Sequence, residues 1–112
     1  MISIVIGTTP TLTLQLANVD LSQASHLLFT LKQHDNIVAE KTEEDITVSQ
    51  DGHSVEVYLD QNDTLNLKFF GQSDKKTLAS VMLNWTYADG SRGASTEEPV
   101  EVLNNLHLAV IS

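Results

Sequence analysis

The sequence predicts an all-β fold, and three observations carry that prediction. Apolar and polar residues alternate with a period of two in several short stretches, the pattern of half-buried strands. Two Asp-Gly pairs, Asp51-Gly52 and Asp89-Gly90, fall between such stretches, where a hairpin turn needs positive φ. No stretch sustains a helical period for more than two turns. The chain of 112 residues is expected to form one domain, 1–112, and at this length folding buries roughly two-thirds of the surface around one core. A hydrophobic fraction of 41% suits a globular protein.

Met1 to Ile6 alternates β-branched residues and reads as a short edge strand. Gly7-Thr8-Thr9-Pro10 ends it, because Pro10 has no ladder donor and drives Thr9 to extended geometry. Thr11 to Leu16 is a half-buried strand with Leu12, Leu14 and Leu16 inward, and Asn18 to Ser22 is a polar loop. Ser25 to Gln33 puts Leu27, Phe29 and Leu31 on one face and Leu28, Thr30 and Lys32 on the other. A helix competes here, but Phe29, Thr30 and the period of two favour a strand. His34-Asp35-Asn36 turns the chain into a strand over Ile37 to Lys41. Asp45 to Ser49 and His53 to Leu59 form a hairpin about Gln50-Asp51-Gly52.

From Asp60 to Phe70 the pattern changes. Asp60 or Asn62 caps a helical turn there, and Leu65 packs back onto the sheet in a connection between two layers. Gly71 to Lys76 reads as the most mobile internal loop. The strand from Leu78 sends Val81, Leu83, Trp85 and Tyr87 to one side, and Ser80, Asn84 and Thr86 to the other. It ends in a two-residue type I′ turn at Asp89-Gly90, with a return strand from Ser91 to Glu98. Pro99 and Val100 to Leu103 follow. The apolar tail Leu106 to Ile111 either pairs as a last strand or meets another subunit. Together these elements predict an antiparallel immunoglobulin-like β-sandwich of seven or eight strands.

The composition excludes more chemistry than it suggests. With no cysteine there is no disulfide, thiolate metal site or Cys nucleophile. Six basic residues against 15 acidic ones give a net charge of −9, a field that disfavours nucleic acid. Met1 to Ile6 is too short for a signal segment, and no apolar run approaches the ~20 residues of a membrane span, so a cytosolic product is expected. His26, His34, His53 and His107 lie in no metal-ligand spacing. Asp60-Gln61-Asn62-Asp63 offers alternating oxygens to calcium but lacks the remainder of a calcium loop. Helix capping explains it better, and no metal is expected. No nucleophile elbow or phosphate loop occurs. No cofactor is expected, and the expectation is a protein that is not an enzyme. A hydrolase would need carboxylates brought together from separate strands.

Several segments carry a resemblance: Gly7-Thr8-Thr9-Pro10-Thr11 followed by Leu12-Thr13-Leu14, Phe29-Thr30-Leu31-Lys32-Gln33, and Ile37-Val38-Ala39-Glu40-Lys41. To these are added the acidic Glu43-Glu44-Asp45 before Ile46-Thr47-Val48, the turn Leu59 to Thr64, and Ala94-Ser95 on the return strand. In these the chain resembles small phage and prophage proteins of Gram-positive bacteria, similar to the N-terminal domain of phage baseplate upper proteins. It departs from them in Val81 to Tyr87, where shorter aliphatics with Gln or Arg are usual, and in a tail without a long acidic extension. The resemblance implies an immunoglobulin-like module of the virion tail or baseplate, with other tail proteins or a second copy as partners and no catalytic residues.

On this reading the protein is a virion-associated structural module. Leu28, Met82, Arg92 and Ile111 are its candidate interface residues, since Leu28, Met82 and Ile111 are apolar residues facing outward. Ser91 to Glu98 is the candidate partner-meeting edge. The alternative is a carbohydrate- or host-surface-binding sandwich, for which Tyr58 and Tyr87 are the only tyrosines and Trp85 is assigned to the core.

Overall fold

A computed structural model describes residues 2–69 and 76–111. Among these the chain forms nine strands and one short helix: β1 (Ile2–Val5), β2 (Thr11–Gln15), β3 (Ala24–Gln33), β4 (Asn36–Thr42), β5 (Ile46–Val48), β6 (Ser54–Tyr58), α1 (Gln61–Leu65), β7 (Lys76–Tyr87), β8 (Arg92–Ala94) and β9 (Glu98–Leu103). One sheet has the order β1-β9-β7-β3-β4, with β8 also paired to β7, and the other has the order β2-β6-β5. Strands 3, 7 and 9 thus share one layer with 4 at its edge, and 2, 6 and 5 form the opposite layer. That is the strand order of an immunoglobulin-like sandwich with the extra edge strand of its variable type.

The expected sandwich is present, with two refinements. The pair β1–β9 is parallel, running from Ile2 opposite Val100 to Val5 opposite Leu103, while every other pair is antiparallel. The cause is the Gly7 turn: Gly7 takes φ +84°, and both the N–H and hydroxyl of Thr8 donate to the Val5 carbonyl. This turn passes the chain from one layer to the other, so β1 and β2 never pair. The strand count rises to nine partly because the return strand breaks. At Ser95 the hydroxyl oxygen accepts from Leu83 N–H (2.9 Å) and separates β8 from β9.

The period of two produces the core. Leu12, Leu14 and Leu16 of the β2 segment, Leu27, Phe29 and Leu31 of β3, Val55 and Val57 of β6, and Val81, Leu83 and Trp85 of β7 are all buried between the layers. Ile4, Leu59, Val100 and Val102 complete it. Phe29 lies opposite Leu83, and Leu27 opposite Trp85. Each such burial contributes roughly 1.5–3 kcal/mol of transfer free energy. Trp85 is also opposite Gly93 of β8, and its indole lies over that glycine.

α1 ties the two layers at one end. Asp60, not Asn62, is its N-cap. Asp60 Oδ1 accepts from Asp63 N–H (2.8 Å) and Asp63 Oδ2 accepts from Asp60 N–H (3.0 Å), a full capping box. Asp63 Oδ2 also meets Lys41 Nζ of β4 at 2.8 Å. The buried Thr64 hydroxyl donates to Thr8 O (2.7 Å), and Leu65 packs against the core as expected. The buried Gln33 amide makes a reciprocal pair with Lys68, donating to its carbonyl and accepting from its N–H. Glu43–Asp45 forms a 3-10 turn, so β5 begins at Ile46 rather than Asp45. The predicted loop over Gly71 to Lys76 lies outside the described residues as far as position 75, and Lys76 opens β7.

Both Asp-Gly hairpins form, but not as two-residue type I′ turns. That type needs positive φ at both central residues, and at Asp89-Gly90 only the glycine has it (φ +89°). Tyr87 N–H donates to Ser91 O and Gly90 N–H to Tyr87 O, so the loop has three residues and ends in a left-handed glycine. The Asp89 carboxylate accepts from the Ser91 N–H (2.8 Å) and hydroxyl (2.7 Å), which keeps Asp89 itself out of the left-handed region. Asp51 does the same for His53 N–H (3.0 Å), beside Gly52 at φ +77°. A second difference concerns the tail. Leu106 to Ile111 is not a strand, and side-chain bonds fix its two ends. Asn105 Nδ2 donates to Ile6 O, and Gln61 pairs with both backbone groups of Ile111.

These glycines separate two costs. A Cβ at Gly90 meets nothing within 4 Å, so Gly90→Ala pays only for its backbone conformation, about 1 kcal/mol. A Cβ at Gly52 drives into the Asp20 carboxylate and comes within 3.2 Å of Leu21 N, so Gly52→Ala costs roughly 2 kcal/mol or more. Urea unfolding midpoints of the two variants check the order. Gly93 has no positive φ, but its Cβ would lie 2.7 Å from Trp85 Cζ2. Gly93→Ala is expected to lower stability by about 1–3 kcal/mol. It also shifts the emission of the single tryptophan, read by fluorescence.

Candidate interaction surface

The alternation that builds the core also builds the outer face of the larger sheet. β3 sends Leu28, Thr30 and Lys32 outward, and β7 sends Leu78, Ser80, Met82, Asn84 and Thr86. The register places Leu28 opposite Asn84 and Thr30 opposite Met82, so Leu28 and Met82 are diagonal neighbours. β8 adds Arg92 opposite Thr86 and Ala94 opposite Asn84. Arg92 Nη2 donates to Asn84 Oδ1 (3.1 Å), which lays the guanidinium along the sheet. Leu28 and Met82 are half-buried and Arg92 is exposed. Three of the four residues nominated from the sequence therefore form one patch.

Two shallow depressions flank this patch and share Asn84. One, of about 210 Å³, lies among His26, Leu28, Asn84, Thr86 and Arg92. The other, of about 290 Å³, lies among Thr30, Lys32, Ser80, Met82 and Glu97. Lys32 and Arg92 are two of the chain's six basic residues, and on this face they stand among Glu40 opposite Thr30, Glu101 opposite Leu78, and Glu97, so its charge is mixed. At the rim, His26 Nδ1 lies 2.8 Å from Glu43 Oε1, and Glu43 Oε2 accepts from Leu27 N–H (3.3 Å). The His26 hydrogen bond, followed by backbone N–H donors, holds the Glu43 carboxyl below the usual carboxylate range.

The other nominated residues lie elsewhere. Ile111 is exposed at the α1 end, bonded to Gln61. From Ser91 to Glu98 the strand is Arg92–Ala94, with Glu98 already opening β9, and among the described residues the sole strand partner of β8 is β7. The outer edge of β8 is thus open. Trp85 is buried, and the Tyr87 hydroxyl donates to Asp20 O (2.9 Å). Tyr58 is 54% exposed on the outer face of the smaller sheet, opposite Thr11. The Asp60 and Asp63 oxygens weighed against calcium binding are engaged in the capping box and by the Lys41 ammonium. Among the described residues no three His, Asp or Glu side chains converge. No helix among them is long and apolar enough to cross a membrane.

Thr30, Asn84 and Thr86 complete the patch and were not nominated. Their parity with Leu28 and Met82 was the available signal. What it lacked was the adjacency of β3 and β7, which joins two separate alternations into one surface.

The loop carboxylates set an acid limit. Hydrogen bonds from Ser22 to Asp20, from Ser49 to Asp51 and from Ser91 to Asp89 hold these carboxyls below their ordinary range, as His26 does for Glu43. A carboxyl with a lowered folded-state pKa stabilises the fold above its unfolded value near about 4, and loses that contribution as pH falls through the folded value. The melting temperature is therefore expected to be flat from about pH 7 to pH 5 and to fall below about pH 4. Asp89→Asn should reduce that fall, as a scanning-fluorimetry series from neutral to acidic pH would show.

The sequence matches no family model and no curated protein. Among solved structures the chain is similar to murine CRIg, with a TM-score of 0.39 and 8% identity over 93% of this chain and 91% of that one. At that distance no residue correspondence follows. It is the strand order itself, β1-β9-β7-β3-β4 against β2-β6-β5, that makes this chain an immunoglobulin-like sandwich.

Proposed function

We propose that the protein is a non-enzymatic structural module of a phage or prophage virion, associated with the tail or baseplate. It works through protein–protein contacts made by the outer face of the larger sheet. The observation that carries this reading is the meeting of Leu28 and Met82 at the centre of a face ringed by Thr30, Asn84, Thr86 and Arg92. An apolar centre with a polar rim is the usual anatomy of a protein interface, and an arginine laid flat beside it is a frequent anchor.

The resemblance to baseplate proteins supports the same reading. Its segments fall on the framework: Gly7 to Thr11 between the layers, Phe29 to Gln33 in β3, Ile37 to Lys41 in β4, and Leu59 to Thr64 at the capping box. A carbohydrate-binding reading has one observation in its favour, the exposed Tyr58 ring, which stands opposite Thr11.

The two readings part experimentally. A Leu28→Glu, Met82→Glu double variant puts two charges at the centre of the face and is expected to weaken association by at least about tenfold, with its melting temperature little changed. Capture of tail proteins from the same genome reads the effect, and Tyr58→Ala should leave it unchanged. A wild-type chain that binds neither itself nor those proteins would overturn the reading. Glycan binding abolished by Tyr58→Ala would establish the other.

A further inference from the structure

β2 is an edge strand of the smaller sheet, and its outer side is open. Leu16 N–H donates to His53 O and Leu59 N–H to Pro10 O, so the bonded pairs of the β2–β6 ladder fall at positions 10, 12, 14 and 16. The N–H and C=O groups of Thr11, Thr13 and Gln15 therefore point away from the sheet. Beside them runs a cleft of about 410 Å³ between the layers, with Ile2, Leu14 and Leu16 as its apolar lining. Its far lip is formed by Ser95, Thr96 and Glu98, where the return strand breaks. β1 covers this side only along β9, from Val100 to Leu103. The upper part of the seam thus lacks a strand.

The same chain carries an exposed apolar segment that belongs to no sheet. Leu106, Leu108 and Val110 recur at a spacing of two, and the segment exposes Leu106 (106%), Leu108 (59%), Val110 (52%) and Ile111 (68%). Such a run of apolar residues on a surface marks an interaction segment. Its six residues extend about 20 Å, the length of Thr11 to Leu16, at roughly 3.3 Å per residue. From Asn104 to Ile111 there is no Asp, Glu, Lys or Arg, so this segment approaches the Glu98 lip of a protein with net charge −9 without repulsion. Within its own copy, Ile111 is held at the α1 end by Gln61, and Asn105 anchors the start of the tail to Ile6.

We propose that the tail Leu106 to Ile111 of one copy adds as a strand to the open β2 edge of a second copy, placing Leu106, Leu108 and Val110 in the cleft beside Ile2, Leu14 and Leu16. Strand addition of this kind takes its affinity from main-chain hydrogen bonds and its register from alternate side-chain pockets. Asn105 is the pivot, and the Gln61 pair with Ile111 is what must release. This contact uses an edge and a seam, so it stands apart from the sheet face that carries Leu28 and Met82.

The test is complementation between two defective chains. Deleting residues 106–112 removes the strand and keeps the cleft. Thr13→Pro removes an outward N–H at an edge position that tolerates proline and keeps the strand. Each variant alone is expected to self-associate at least tenfold more weakly than the wild type in analytical ultracentrifugation, and a mixture of the two should form a 1:1 heterodimer. The Leu28→Glu, Met82→Glu variant should retain the exchange. Hydrogen exchange supplies a readout without substitution: the Thr13 and Gln15 amides of the wild type should gain protection as concentration rises. A wild type that stays monomeric to about millimolar concentration, or a tail-deleted chain that associates as well as the wild type, would overturn the proposal. So would amide protection that does not depend on concentration, since the tail would then be docking on its own copy.

Discussion

The pairing of β3 with β7 is the constraint on which the remainder of this structure depends. Eight residues of β3 find partners along β7, from Ala24 opposite Tyr87 to Lys32 opposite Ser80. Because side chains alternate, this one register settles two surfaces together. Inward, it stacks Phe29 on Leu83 and Leu27 on Trp85. Outward, it aligns Leu28 with Asn84 and Thr30 with Met82. A slip of β3 by one residue would turn Leu27, Phe29 and Leu31 to solvent and Leu28, Thr30 and Lys32 toward the core. The apolar area at stake makes the register hard to change, and the outer patch inherits its geometry from the core.

Around that pair the buried polar side chains among the described residues are also satisfied. Gln33 would be an unpaired amide at the end of β3 if Lys68 did not present both backbone groups to it. Thr64 finds the Thr8 carbonyl across the sandwich end. Asp63 closes the capping box and receives Lys41 through the same oxygen. Each of these contacts joins α1 or the residues just after it to a different strand or turn. A helix of five residues has little stability of its own, and its position comes from these tethers and from Leu65 against the core. They also explain why the acidic stretch from Asp60 to Asp63 behaves as a corner of the fold.

The two proposed contacts exploit different incompletenesses of the same sandwich. The outer sheet face is complete in its backbone bonding and offers side chains, which suits a flat partner. The β2 edge offers unpaired main chain beside an apolar cleft, which suits an extended one. A module that presents both can be held in an assembly from two directions. Open edges usually invite unwanted pairing and are blunted by charge or proline. Here β2 outside its bonded positions shows Thr11, Thr13 and Gln15, all uncharged, while Pro10 sits just before it.

How far the sequence alone reached can be seen from particular residues. The inward sets Leu12-Leu14-Leu16, Leu27-Phe29-Leu31 and Val81-Leu83-Trp85, the outward Leu28 and Met82, and the cap at Asp60 with Leu65 behind it were all legible, because strand alternation and capping act over a few neighbouring residues. Both hairpins were legible as well, though the turn type was not. Whether Asp89 takes positive φ depends on the bonds its carboxylate makes to Ser91. The parallel pairing of β1 with β9, the break at Ser95, the meeting of Leu28 with Met82 and the separation of Ile111 from them all join residues distant in the chain. A period of two states which way a side chain faces within its own strand. Which strands become neighbours, and therefore which faces and edges become surfaces, is decided only when the two layers pack.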